Sequence, residues 1–331
     1  MSIAFSILDL APISKGQTAR ESLEGSVALA RAAESSGYER VWYAEHHNMP
    51  TIASSATSVV IGYVAAHTTT IRLGAGGIML PNHSPLVIAE QFGTLATLYP
   101  GRIDLGLGRA PGSDQNTMLA LRRDNSSAEA FPQDVLELNG YLTGHTRVPG
   151  VQAVPTPDGP VPLYILGSSL FGAQLAAQLG LPYAFASHFA PDALHQAVTV
   201  YRETFRPSAQ LETPYVIAGV NVFAAPTHDE AEDQRVRAYR ARTRAFVTRG
   251  ARGGNFTDAE IDAFLASPAG ASLSNMTRYT ATGTPDEVRE YLLKFATEAG
   301  ADELITAHHA SDLPDRIRSI ELTGEALTTS V

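Results

Sequence analysis

Apolar residues in this chain gather into eight short runs, at about 3–10, 40–44, 71–78, 102–107, 162–167, 182–187, 214–223 and 302–307. Their length and their β-branched and aromatic content predict strands. Several of the intervening stretches instead repeat apolar residues at helical spacing. One runs from Ser22 to Ser36 and stops at Gly37, a helix-terminating residue. Residues 54–67 and 84–98 read as helices, the second halted by Pro100-Gly101, and 170–180 ends at Gly180. Segment 284–299 opens Thr284-Pro285-Asp286-Glu287 and ends at Gly300. That opening combines a capping hydroxyl, proline in the first turn and acids facing the helix dipole. Strand–helix alternation repeated eight times predicts an α/β chain folded as a (β/α)8 TIM barrel, one domain over residues 1–331. A doubly wound sheet is the rival architecture that the same alternation allows.

The spacing of the runs is uneven. About 55 residues separate the fourth and fifth, and roughly 78 separate the seventh and eighth, more than one crossover needs. In the longer interval, 228–247 reads as a charged helix. Residues 248–282 are rich in Gly, Ser and Thr, with a short helix near 257–266. An insertion there, beside a barrel mouth, is placed to act as a mobile lid. A packing loop is the plain alternative. The Pro-rich stretch Val148–Pro162 reads as a loop between barrel halves.

Composition narrows the function. Of 331 residues, 44% are hydrophobic and 18% charged, an ordinary globular balance. The net charge is −10 and Lys15 and Lys294 are the only lysines, which argues against nucleic-acid binding and against a Schiff-base lysine at a strand end. The chain has no cysteine, so disulfides, thiolate metal sites and cysteine nucleophiles are excluded. No apolar run reaches membrane-spanning length and no secretory leader pattern opens the sequence, so a soluble cytoplasmic protein is expected.

Six of the ten histidines (His46, His47, His83, His188, His308 and His309) fall just after expected strands, where a barrel places its chemistry. Four segments carry the functional signal. Glu45-His46-His47 closes the second strand and could supply a general base, an anion site or metal ligands. Gly74-Ala75-Gly76-Gly77 lies within the third. Glycine there is costly, and marks either a flat ligand against bare backbone or a bulge in the barrel. Arg109 follows a glycine-rich fourth strand and suits a phosphate, whereas Asp104 within that strand reads as an arginine's structural partner. Gly167-Ser168-Ser169-Leu170-Phe171-Gly172 stands before a helix and offers N–H and hydroxyl donors to an anion, or a simple helix cap. A phosphate, a flat ligand and several histidines together suit flavin mononucleotide (FMN).

At these residues the chain resembles the bacterial luciferase-like flavin monooxygenase superfamily, from about Ile3 to Ile320. The segments that carry the likeness are Val41–His47, Gly74–Pro81, Tyr99–Gly112, Ala176–Pro182 and Thr282–Pro285. The resemblance implies a (β/α)8 barrel binding reduced FMN at its C-terminal mouth. Reaction with O2 through a C4a-peroxyflavin would then oxidise a small organic substrate, aldehyde-like or otherwise apolar. It implies a catalytic His46, with Glu45 and His47 completing the motif. It implies a cis peptide at Gly76-Gly77, beside Ala75, under the flavin ring. Arg109 and the loop Gly167, Ser168, Ser169 and Gly172 would take the phosphate, and His188 and His83 would line the pocket. Gly108 stands where true luciferases carry a cysteine, which argues against light emission. The implied partners are a separate flavin reductase and, by analogy, a second copy of the chain, docked through the helices of the first three βα units. Relatives of the fold that transfer hydride with deazaflavin F420 give one alternative. A non-catalytic FMN carrier and a metal hydrolase built on His46 and His47 are two others.

Overall fold

A computed structural model describes residues 3–110, 114–250 and 255–329, without side-chain detail for residues 125, 249 and 250. Pro111 and Gly112 of the fourth-strand motif and residues 251–254 of the long insertion lie outside the described residues. Eight parallel strands close into a barrel: β1 (Ala4–Asp9), β2 (Arg40–Tyr43), β3 (Arg72–Met79), β4 (Ile103–Gly108), β5 (Leu163–Gly167), β6 (Tyr183–Phe185), β7 (Val216–Ala224) and β9 (Glu303–His308). Pairing of β6 with β7 and of β9 with β1 closes the ring.

The helices between them are α1 (Ala19–Ser35), α2 (Thr57–Ala65), α3 (Pro85–Leu98), α4 (Gln115–Ala120), α5 (Phe131–Leu142), α6 (Leu170–Leu179) and α7 (Leu194–Thr204). After β7 come α8 (His228–Gly250), α9 (Asp258–Leu265), α10 (Ala271–Met276) and α11 (Pro285–Ala299), and α12 (Leu313–Thr328) ends the chain. Local chemistry sets the ends. Thr18 and Glu21 form a reciprocal capping box that starts α1 three residues before the expected Ser22. Thr284 and Glu287 do the same for α11, with Pro285 in its first turn, and left-handed Gly300 closes it.

Sequence periodicity did not reveal a ninth strand, β8 (Thr280–Gly283), which begins within the 248–282 insertion and ends one residue past it. At Asn221 and Val222, β7 pairs with β9 on one edge and with β8 on the other. The second edge is free there because β6 ends after three residues. The insertion is therefore bound to the barrel at its end, and Arg240–Asp262 and Arg244–Asp258 ion pairs dock α9 on α8. Its Gly/Ser/Thr composition gave no alternating pattern that would mark four strand residues.

Two apolar layers and one charged layer hold the fold. The larger core lies between strands and helices, where Tyr43, Phe92, Phe131, Tyr183 and Tyr201 are all but fully buried. Inside the barrel Leu8, Trp42, Tyr164, Ala184, Ile217 and Ile305 form a second cluster. Below it, at the starts of the strands, Arg40 reaches Asp104 (2.9 Å) and Glu303 (3.0 Å). Arg40 also donates to Tyr164 (2.6 Å), and Tyr215 donates to Glu303 (2.8 Å). Arg72 pairs with Asp104 as well, so the expected structural role of Asp104 is what the fold displays. The buried acids are paired and hydrogen-bonded, the condition under which buried charge is tolerated.

Candidate functional site

The C-terminal ends of the strands bring the sequence-selected residues together. Glu45, 1% exposed, follows β2, and its Oε1 accepts from Nε2 of His47 (2.7 Å) and Nε2 of His83 (2.8 Å). Its Oε2 accepts from the Met79 amide at 3.1 Å. Burial would raise the Glu45 pKa, but the hydrogen bonds from the two histidines outweigh it and hold the carboxyl below its usual value. The same bond raises His47 against its own desolvation. These three residues set their ligand atoms within 4.8 Å of one another, close enough to take a metal ion. His46, which the hydrolase alternative needs beside His47, is not in that group.

His46 turns elsewhere. It is half-buried, and its Nδ1 lies buried without a hydrogen-bond partner. Burial pushes its pKa down against the pull of Glu45. His188 stands close enough to feel the charge of His46, of His309 and of Arg242, and burial first, then those neighbours, push it down to about 3. His188 Nδ1 also has no partner, and Gly219 of β7 makes room for it: a Cβ there would lie 2.4 Å from that nitrogen. His309 bonds Asn221 Oδ1 at 3.0 Å and is likewise pushed to about 3 by burial. Three neutral imidazoles (His46, His188 and His309) therefore lie near one another at the mouth.

One histidine departs from the sequence expectation. His308 is buried between β9 and α12, bonded to Ser319 (2.8 Å) and Thr306 (3.1 Å). Successive strand residues face opposite sides, so His308 and His309 cannot both enter the mouth. The expected convergence of six histidines on one face reduces to five.

The glycines of β3 have two demonstrable consequences. The Gly76–Gly77 peptide is cis, and the β3–β4 register shifts between Ala75 and Ile78, so the unusual peptide and the bulge occur together. A Cβ on Gly76 would lie 2.8 Å from Trp42 Cβ, and one on Gly77 would lie 2.7 Å from the Gly106 carbonyl. The Arg109 guanidinium stacks 4.1 Å above the Phe171 ring, which brings it to the loop entering α6. Ser169 is the residue before that helix, yet its side chain makes no capping bond. The first-turn N–H groups and the hydroxyl therefore stay available to an anion. Gly167 adds a clue of a different kind. A Cβ there would meet nothing closer than 3.7 Å, so protein packing does not require glycine, whereas a ligand lying against the backbone would. Gly172 is tighter, with a built Cβ 3.2 Å from the Tyr183 ring.

The chain belongs to the luciferase-like monooxygenase family, whose model matches residues 3–303. A luciferase-like monooxygenase of Escherichia coli (strain K12) is 51% identical over 325 residues, 97% of this chain and 96% of that protein. Among solved structures, apo-MsnO8 superposes with a TM-score of 0.87 at 35% identity, covering 99% of both chains. The FMN complex of the oxygenating constituent of 3,6-diketocamphane monooxygenase from Pseudomonas putida has a TM-score of 0.74 at 18% identity. It covers 98% of this chain and 97% of its own, and at that identity it shows the shared fold alone. Among the described residues, no helix is long and apolar enough to cross a membrane.

Proposed function

We propose that this chain is a flavin-dependent monooxygenase that uses reduced FMN and O2 to oxidise a small organic substrate. The observation that carries the reading is the anion cradle at the α6 entrance. Arg109 stands over Phe171, Ser169 leaves the helix start uncapped, and Gly167 is bare where packing would admit a side chain. The unpartnered Nδ1 atoms of His46 and His188 are the second support, because buried polar atoms without partners mark groups held for a ligand. When bound, reduced FMN supplies the activation of oxygen. The protein's residues do the rest. Arg109, Ser168 and Ser169 hold the phosphate, with Gly167 and Gly172 giving it room. Ala75, Gly76 and Gly77 support the ring. His46 is neutral near pH 7 and can accept or return a proton at Nδ1, while Glu45, His47 and His83 fix the turn that carries it.

Reduced FMN would come from a separate reductase. The 248–282 insertion serves as a lid that excludes water. A second copy of the chain docks on α2 and α3, where Val59 (69% exposed), Tyr63, Val87 and Leu98 (64%) leave apolar surface in water. Deazaflavin F420 is the rival cofactor, and hydride transfer would then replace oxygen chemistry.

An anaerobic titration with reduced FMN, followed by an oxygen pulse, tests the reading. Stoichiometric binding, with reoxidation slower than that of free flavin and changed by substrate, is the expected result. Absence of FMN binding would overturn it and make F420 the next ligand to titrate.

A further inference from the structure

A cleft of about 480 Å3 lies outside the barrel centre, between α8, α10 and β8, and it is unusually cationic for a chain of net charge −10. Three arginines line it, two from α8 and one after α10, and two of the three are neutralised. Arg235 is paired with Glu232, and Arg278 with Asp192 at 2.9 Å. The third, Arg242, makes no hydrogen bond or ion pair among the described residues. Its neighbours on α8 sharpen the contrast: Arg237 faces Asp315, Arg240 holds Asp258 and Asp262, and Arg244 holds Asp258. The side chain is open to the cleft, although protein crowds its guanidinium enough to lower its pKa.

Arg242 also lies within electrostatic reach of the mouth histidines. Its charge is felt by His188 and His309, and His188 in turn feels His46. Asn221 ties the two regions together, bonding His309 and the His188 carbonyl on one side and the Tyr279 carbonyl beside the cleft on the other. Hydroxyls of Tyr239 and Thr280, 2.8 Å apart, complete a polar wall. A guanidinium without a carboxylate partner, in a cleft whose edge Asn221 bonds to the mouth histidines, is suited to receive one.

We propose that Arg242 binds a carboxylate of the substrate, so that the molecule oxidised is an amphipathic organic acid, anchored in this cleft with its reactive end at the histidines. This rests on the monooxygenase reading above and names the class of its substrate. On this assignment the Arg109 cradle, after β4 and β5, takes the cofactor's phosphate, and Arg242, on α8 after β7, takes the substrate's carboxylate.

The test uses 4-fluorobenzoate and 6-fluorohexanoate, each against its amide, titrated into FMN-loaded and FMN-free protein and followed by fluorine NMR. At least one acid should bind saturably and at least tenfold more tightly than its amide. Arg242→Gln should erase that difference and Arg242→Lys should keep part of it, both with FMN affinity changed less than twofold. Equal binding of acid and amide, no saturable acid binding, or acid binding untouched in Arg242→Gln each overturns the proposal. A tenfold loss of FMN affinity in Arg242→Gln also overturns it, because the anion would then be the cofactor's phosphate. Acid selectivity persisting in a protein that fails to bind FMN would instead sink the cofactor reading alone.

Discussion

Glu45 and His83, 38 residues apart in sequence, meet at 2.8 Å through the carboxylate oxygen that His47 also uses. The pair joins the end of β2 to the turn after β3 and so fixes the backbone on both sides of His46. The His47 pKa is raised above 6.5 and the Glu45 pKa is lowered below 4.5. Stability from His47 is therefore full below its ordinary pKa and lost as pH rises through the raised one. Stability from Glu45 is full above its ordinary pKa and lost as pH falls through the lowered one. Glu45→Gln should cost most stability between pH 4.5 and 6.5 and less at pH 8.5, as read by urea unfolding. A destabilisation that stays constant across that range would show that the Glu45–His47 contact is not ionic.

His46 has a buried ring nitrogen, Nδ1, that no protein group uses among the described residues. Replacing it by Asn should leave FMN binding within about threefold and cut turnover by roughly 10²–10⁴-fold, the usual worth of a positioned acid or base. Stopped-flow reoxidation and single-turnover oxidation measure the two separately. Unchanged turnover would move the proton-transfer role to His188 or His309.

Arg109 is held over Phe171, and no carboxylate among the described residues pairs with it. Arg109→Ala should weaken FMN by about tenfold to a hundredfold, the worth of one or two charge-assisted bonds. Riboflavin, which lacks the phosphate, should bind the variant and the parent alike. An equal loss for both ligands would place the arginine against the ring instead.

Gly167 and Gly106 make a matched pair. A Cβ on Gly106 would lie 2.4 Å from the Ala75 carbonyl and 2.5 Å from Leu166, so Gly106→Ala should lower stability by about 1–3 kcal/mol. Gly167→Ala has room and should melt within about 0.5 kcal/mol of the parent, yet bind FMN less tightly. Thermal melts with and without FMN separate these outcomes. A Gly167→Ala protein of normal FMN affinity would remove the backbone from the ligand's path.

Arg40 neutralises two acids buried beneath the site, Asp104 and Glu303. Arg40→Met leaves Glu303 without its cation and should cost about 3–5 kcal/mol in denaturant unfolding. Restoration of stability in the double variant Arg40→Met/Glu303→Gln would identify the orphaned charge as the cause.

The sequence by itself determined the eight barrel strands, the ends of α6 and α11, and the position of Glu45, His46, Arg109 and the 167–172 loop at the ends of barrel strands. These are local signals: apolar periodicity, capping residues and glycine placed after a strand. Only the tertiary structure decided what depends on contacts between distant segments. It set His83 on Glu45, turned His308 outward while His309 stayed at the mouth, and added β8 where the short β6 left an edge of β7 open. It also separated Arg242 from its neighbours on α8, whose sequence shows only a run of similar arginines. The physical reason is the same in each case: a side chain's charge and direction are settled by whichever residue the fold brings opposite it, and composition and spacing carry no record of that partner.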